Sequence, residues 1–319
     1  MIAVWLVAFL GGVGLVVWGA EAFAEHLGRA AVALGVSSFA LALLLAGAEP
    51  EELATVVAAA VKGAPGIALG DVIGANVTGC LVALGVGAIL APLPCRGAVL
   101  VYGALALPLG ALAAWIAWSG AVGRGAGAVL VLFYLAYVGL IWRLERRPPR
   151  LGEVAEIEEA RQEATSGRVP HRARDLALVA AGVGAMIVGA SLLVDAVRHI
   201  AGGEALQLRL GLSAVGFATG FELVVLAWST ARRGAGEAAV AAVMGSFAYN
   251  VTMTLGAGAL ARPLAVLDAP ALHLPWAAMI GALALALGLA LPGRELRRGA
   301  GILLLAAYPG FLALVFWAS

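Results

Sequence analysis

The chain has 319 residues, 63% of them hydrophobic and only 12% charged, with a mean hydropathy of +1.01. A soluble domain carries about 25% charged residues, so this composition excludes a soluble enzyme and describes a polytopic membrane protein with almost no mass outside the lipid bilayer. A net charge of +1 shows no surface for nucleic acid, and Cys80 and Cys95, in or beside apolar runs, suggest neither a disulfide nor a metal pair.

The first apolar stretch, Met1 to Ala24, has no basic leader and no small-residue cleavage site, so it reads as a span rather than a signal peptide. Crossing a bilayer takes about 20 apolar residues in a helix. Such runs fall at Ile2–Ala24, Ala30–Val61, Ile67–Leu90, Ala98–Trp118, Gly123–Trp142, Leu176–Val197, Leu208–Ala231, Glu237–Leu260, Ala269–Leu291 and Gly299–Trp317. They predict an all-α fold of about ten transmembrane helices.

The second run is interrupted by Glu49, Pro50, Glu51 and Glu52. A carboxylate inside a span costs several kcal/mol and commonly marks an ion path. Proline removes a backbone donor and breaks the helix, which frees carbonyls and a half-helix end at membrane depth, the parts from which transporters build ion sites. The competing reading puts these acids at a membrane surface. A hydrophilic segment, 143–175, follows the fifth run; Pro148-Pro149 and its Arg and Glu residues read as a solvated linker, with a short exposed helix possible over Glu153–Gln162.

Loops after the odd-numbered spans carry 15 Arg and Lys residues, and those after the even-numbered spans carry 5. The positive-inside rule then places the linker in the cytoplasm and both termini outside. The tryptophans fall toward span ends, as interfacial rings do. Glu21, Glu25, His26, His199, His273 and Glu237 need no transport role.

The chain also repeats itself. Gly19-Ala20 matches Gly189-Ala190 at an offset of 170; Glu51 matches Glu222, Gly74 matches Gly245, and Leu84-Gly85 matches Leu255-Gly256, each at 171. Residues 1–142 and 176–319 therefore form two halves of five spans joined by the linker. An odd number of spans forces the second half to enter the membrane inverted, the plan of many secondary transporters.

These residues resemble the calcium/cation antiporter superfamily, whose best-known branch is the sodium/calcium exchangers. In that family each half carries G-T-S-x-P-E on a broken helix and G-S-x-x-x-N or G-S-x-x-x-D on the next. The first half here has Ala46-Gly47-Ala48-Glu49-Pro50-Glu51 and Gly74-Ala75-Asn76-Val77-Thr78-Gly79; the second has Phe217-Ala218-Thr219-Gly220-Phe221-Glu222 and Gly245-Ser246-Phe247-Ala248-Tyr249-Asn250. The lead-ins Leu34-Gly35-Val36-Ser37 and Leu210-Gly211-Leu212-Ser213 are similar too. The resemblance implies that Glu51 and Glu222 ligate a divalent ion from opposite halves. Calcium takes six to eight oxygens, and carbonyls near Gly47 and Ala218, the hydroxyls of Thr219 and Ser246 and the amide oxygen of Asn250 complete that expected shell.

The departures sit mostly in the first half. Gly47-Ala48 replaces the Thr-Ser pair, Ala75 and Gly79 replace a serine and an asparagine, and Phe221 replaces a proline in the second half. Asp71, Ala75 and Gly79 are spaced to share one helix face, so Asp71 could restore an anionic oxygen near the lost ligands; capping the start of its span is the other reading. Glu49 and Glu52 are expected to point into a water-filled vestibule. The function implied is secondary antiport of Ca2+ or a related divalent cation for H+ or Na+, with no cofactor and no enzymatic activity. A cation channel is the alternative; an intramembrane transferase would need clustered aspartates with basic partners, and no nucleotide-binding loop is present. Fewer hydroxyl and amide ligands predict less capacity for sodium, which leans toward proton or mixed coupling.

Overall fold

A computed structural model of the protein describes residues 2–33, 48–95, 97–145 and 172–317. The expected contributions of Gly47, of the lead-in Leu34–Ser37 and of a helix over Glu153–Gln162 lie outside the described residues.

The described chain is almost wholly helical. In the first half α1 is Ile2–Ala33, α2 is Pro50–Val61, α3 is Pro65–Val77 and α4 is Leu84–Leu90; α5 is Ala98–Ile116 and α6 is Arg124–Glu145. In the second half α7 is Arg172–Ala201, α8 is Glu204–Leu210, α9 is Gly216–Thr219, α10 is Phe221–Arg232, α11 is Gly236–Tyr249 and α12 is Leu255–Ala261; α13 is Pro270–Ala290 and α14 is Arg298–Trp317. Three π-helical segments, Thr78–Ala83, Gly211–Val215 and Asn250–Thr254, join α3 to α4, α8 to α9 and α11 to α12 without ending the span. Nine helices among the described residues are long and apolar enough to cross a membrane. The tenth predicted span, the second, is represented by the 12 residues of α2, which Pro50 opens from the position where its missing N–H costs nothing.

Two boundaries move for a physical reason. The first helix continues to Ala33, past the predicted Ala24, because its end is held by polar pairs: Arg29 bonds Glu25 at 3.0 Å and His26 meets Asp175 of α7 at 3.1 Å. The linker's predicted ends at 143 and 175 are helical, since α6 runs to Glu145 and α7 starts at Arg172.

The halves are related as inverted repeats, and the contacts between them come in matched pairs. Helices α1 and α7 cross closely through glycines: a Cβ on Gly12 would lie 2.8 Å from the Gly189 carbonyl, and one on Gly19 2.7 Å from that of Gly182. Close backbone approach through small residues is how membrane helices associate, since lipid supplies no hydrophobic force between them. Short strands repeat the exchange. Here β1 (Leu93–Pro94) pairs antiparallel with β4 (Glu295–Leu296), and β2 (Ala121–Val122) with β3 (Leu264–Ala265), so each half ties to the other twice. The spans Pro65–Leu90 and Gly236–Ala261 are the most enclosed, with Ile67, Leu69, Ile73, Met244 and Phe247 fully buried. Helices α1, α6 and α14 turn Val7, Leu10, Leu132 and Leu303 outward, as a lipid-facing surface requires.

Candidate cation-binding site

Both broken helices restart at the same depth of their repeats. Helix α2 begins at Pro50 and carries Glu51 and Glu52 in its first turn; α10 begins at Phe221 after a turn at Gly220 and carries Glu222 in its first turn. Phenylalanine thus replaces proline without loss of the break. A helix N-terminus presents free N–H groups and the positive end of the dipole, and favours a carboxylate by about 0.3–1 kcal/mol. The two half-helices bring their glutamates together: the Glu51 side chain interacts directly with Glu222 of the other repeat and with Glu49.

The helices behind them complete the cluster. Asp71, fully buried on α3, accepts a 2.8 Å hydrogen bond from the Thr219 hydroxyl of the opposite repeat, for which the Val215 carbonyl is a second acceptor at 3.1 Å. Asp71 therefore lies in the middle of a cross-repeat contact and does not cap its helix. That contact exists because glycines let α3 and the second repeat touch: a Cβ on Gly74 would lie 2.4 Å from the Leu212 carbonyl oxygen, and one on Gly216 2.6 Å from the Ala75 nitrogen. Asn250, on the π-helical segment after α11, donates through Nδ2 to the Ser246 hydroxyl at 3.3 Å. Ala218 is half-buried; with Thr219 it lines a crevice against Val13, Val16 and Val17 of α1 and Leu193 of α7, so the α1–α7 pair roofs this side of the site.

One expectation is reversed. Glu49 and Glu52 do not face a vestibule: Glu49 is 7% exposed and Glu52 2%. Glu52 lies beside Asn250, and the other charged groups acting on it are the carboxylates of Glu51, Asp71 and Glu222. The missed signal is the absence of a polar face on α2. Apart from the acids and Thr55, which bonds back to the Glu51 carbonyl at 2.8 Å, the helix is alanine, valine and leucine, so it has no side on which water could reach Glu52.

The cluster is rich in acceptors. Both carboxylate oxygens of Glu51 and of Glu52, Oδ2 of Asp71 and Oδ1 of Asn250 are buried without a hydrogen-bond partner. Buried polar atoms in folded proteins are nearly all satisfied, and acceptors that converge without donors suit cations. The ion pairs recorded among the described residues lie elsewhere, at His26–Asp175, Arg29–Glu25, Lys62–Asp195 and Arg297–Glu295. Among the described residues no group of three or more His, Cys, Asp or Glu side chains is arranged to hold one metal ion. A shell here needs neutral oxygens beside paired carboxylates, which is the donor mixture that Thr219, Ser246 and Asn250 offer.

Inverted repeats, two broken helices and a buried acidic cluster between them define a polytopic secondary transporter for cations. The profile of the family described as "Sodium/calcium exchanger protein" matches residues 4–143 and 175–317. The chain belongs to the sodium/calcium exchanger family, a family of cation antiporters. It is 26% identical over 353 residues to "Sodium/calcium exchanger MaX1" of Methanosarcina acetivorans, covering 99% of this chain and 100% of that one. It is also 26% identical over 262 residues to "Inner membrane protein YrbG" of Escherichia coli K12, covering 79% and 78%. A solved structure of the sodium-calcium exchanger NCX_Mj, soaked with 10 mM Na+ and zero Ca2+, superposes with a TM-score of 0.62 at 25% identity, covering 99% of this chain and 100% of that one.

Proposed function

We propose that this protein exchanges Ca2+, or a related divalent cation, for Na+ or H+ by alternating access. The observation that carries the reading is the meeting of Glu51 and Glu222, one from each repeat, at the N-termini of two broken helices. Two carboxylates balance the charge of one divalent ion, and Thr219, Ser246, Asn250, the Ala218 carbonyl and Asp71 supply further hard oxygens of the kind calcium takes. The carbonyl of Gly47 is proposed as another ligand. When the divalent ion leaves, facing carboxylates in a low-dielectric site must take up other positive charge, and that exchange drives the cycle. Because the ligands are divided between repeats, a movement of one repeat against the other can expose the site to either side in turn.

Residues 1–142 and 176–319 are proposed as the two repeats, with 143–175 as a cytoplasmic linker, both termini outside and the cell membrane as the location; the 15-to-5 division of basic residues supports this orientation. Calcium uptake into proteoliposomes tests the function. It is measured under an outward sodium gradient at symmetric pH, then under an outward proton gradient without sodium. Wild-type uptake under at least one gradient is expected, with Glu51→Gln and Glu222→Gln each abolishing it while remaining monodisperse. Uptake under neither gradient, or wild-type flux in either variant, would sink the assignment.

A further inference from the structure

The pseudo-symmetry of the repeats exposes an asymmetry in their chemistry. At the repeat offset, Glu52 corresponds to Leu223 and Asn250 to Gly79. These four residues form two equivalent crossings. In one, Leu223 packs against Gly79, its Cδ1 3.2 Å from where a Cβ on Gly79 would lie. In the other, Glu52 packs beside Asn250. The same backbone arrangement is thus built once from apolar residues and once from a carboxylate and an amide. The apolar version shows that the fold closes this crossing without polar atoms, so the polar version needs another reason to exist.

Its atoms supply one. Glu52 and Asn250 are 2% and 1% exposed, and Glu52 has two unpartnered oxygens. Asn250 spends its donor on Ser246 and leaves Oδ1 without a partner; one turn further on, the buried Thr254 hydroxyl has no partner either. A buried ionised carboxylate without compensation is costly, and the charged groups acting on Glu52 are all acids. One formal charge with neutral amide and hydroxyl oxygens matches a hard monovalent ion, whereas the facing pair of Glu51 and Glu222 matches a divalent one.

We propose that Glu52 and Asn250 form a second cation position, for a sodium-sized alkali ion, beside the divalent site of Glu51 and Glu222. The position rests on the proposed exchange for its role in transport, but its occupancy does not depend on flux. Glu52 then restores to the first repeat a sodium ligand that Gly47, Ala48, Ala75 and Gly79 do not provide, and it makes sodium the coupling ion.

Two measurements test this on the full-length protein. In detergent, the unfolding temperature is followed as NaCl replaces choline chloride at constant ionic strength, without calcium. Wild type should gain stability with sodium, while Glu52→Gln and the double variant Glu52→Leu with Asn250→Gly, which copies the apolar crossing and should fold, should require at least roughly tenfold more sodium for the same gain. In proteoliposomes, Glu52→Gln should raise the half-saturating sodium for sodium-driven calcium uptake by a larger factor than it raises the half-saturating calcium for calcium–calcium exchange. Equal sodium stabilisation in wild type and both variants, or a calcium shift as large as the sodium shift, overturns the proposal, as does uptake driven by protons alone. Sodium stabilisation that depends on Glu52 in a protein without divalent flux would retain the position and reject the proposed exchange.

Discussion

The close approach of α3 to the second repeat is open to a quantitative test through Gly74. An added Cβ would lie 2.4 Å from the Leu212 carbonyl oxygen and 2.8 Å from its carbon, where ordinary contact begins at 3.4 Å. Both obstacles are backbone, so no side chain can swing away and Gly74→Ala must push the two elements apart by about 1 Å. Asp71 lies three residues before Gly74, and Thr219 three residues after Gly216, at the same crossing. A shift of that size stretches their 2.8 Å hydrogen bond to about 3.8 Å, beyond bonding range. Overpacking costs about 1–3 kcal/mol, and loss of a hydrogen bond to a charged group about 1.5–3 kcal/mol. The first cost should appear as a lower unfolding temperature in detergent. The second should appear as roughly 10–100-fold weaker half-saturation by calcium in proteoliposomes. Gly281→Ala is the control, because nothing lies within 4 Å of a Cβ there; it should be neutral or gain up to about 1 kcal/mol of helix propensity. Wild-type stability and calcium affinity in Gly74→Ala, or an equal loss in Gly281→Ala, would refute the reasoning.

Burial pushes the Cys95 thiol up to about 11, so its reactive thiolate is about one part in ten thousand at neutral pH; maleimide should leave it unmodified in the folded protein and label it after denaturation in SDS. Cys80 is fully buried as well and should behave alike. With the native thiols silent, Ser166→Cys reports the side of the linker: an impermeant maleimide applied to intact cells should fail to label it, and ready labelling would reverse the proposed orientation. Arg294 holds φ at 51°, where its counterpart in the first repeat is Gly120 at 76°. Left-handed backbone costs a residue with a Cβ roughly 1–2 kcal/mol, so Arg294→Gly should raise the unfolding temperature, and a lower one would show that the arginine side chain outweighs the strain.

Hydropathy, turn chemistry and repetition are local properties, which is why the spans, the break at Pro50 and the pairing of Glu51 with Glu222 were legible in the sequence. The offset of 171 carried the inverted architecture because both repeats keep glycines and acids at matching positions. The extent of α1 was not legible, since its end is held by His26 meeting Asp175, a partner 149 residues away. Nor was the setting of the extra acids. A carboxylate in an apolar run reads equally well as a ligand or as a residue facing water, and only the packing of α2 decides which; it buries Glu52 beside Asn250 and leaves no face for a vestibule. Likewise Asp71 has one spacing-based relation to Ala75 and Gly79, but its hydrogen-bond partner is Thr219, brought across from the other repeat by the glycine contacts of the α3 crossing. The sequence by itself determined which residues repeat and which spans break. The tertiary structure alone decided which acids face which donors, because that depends on how closely two inverted backbones can approach.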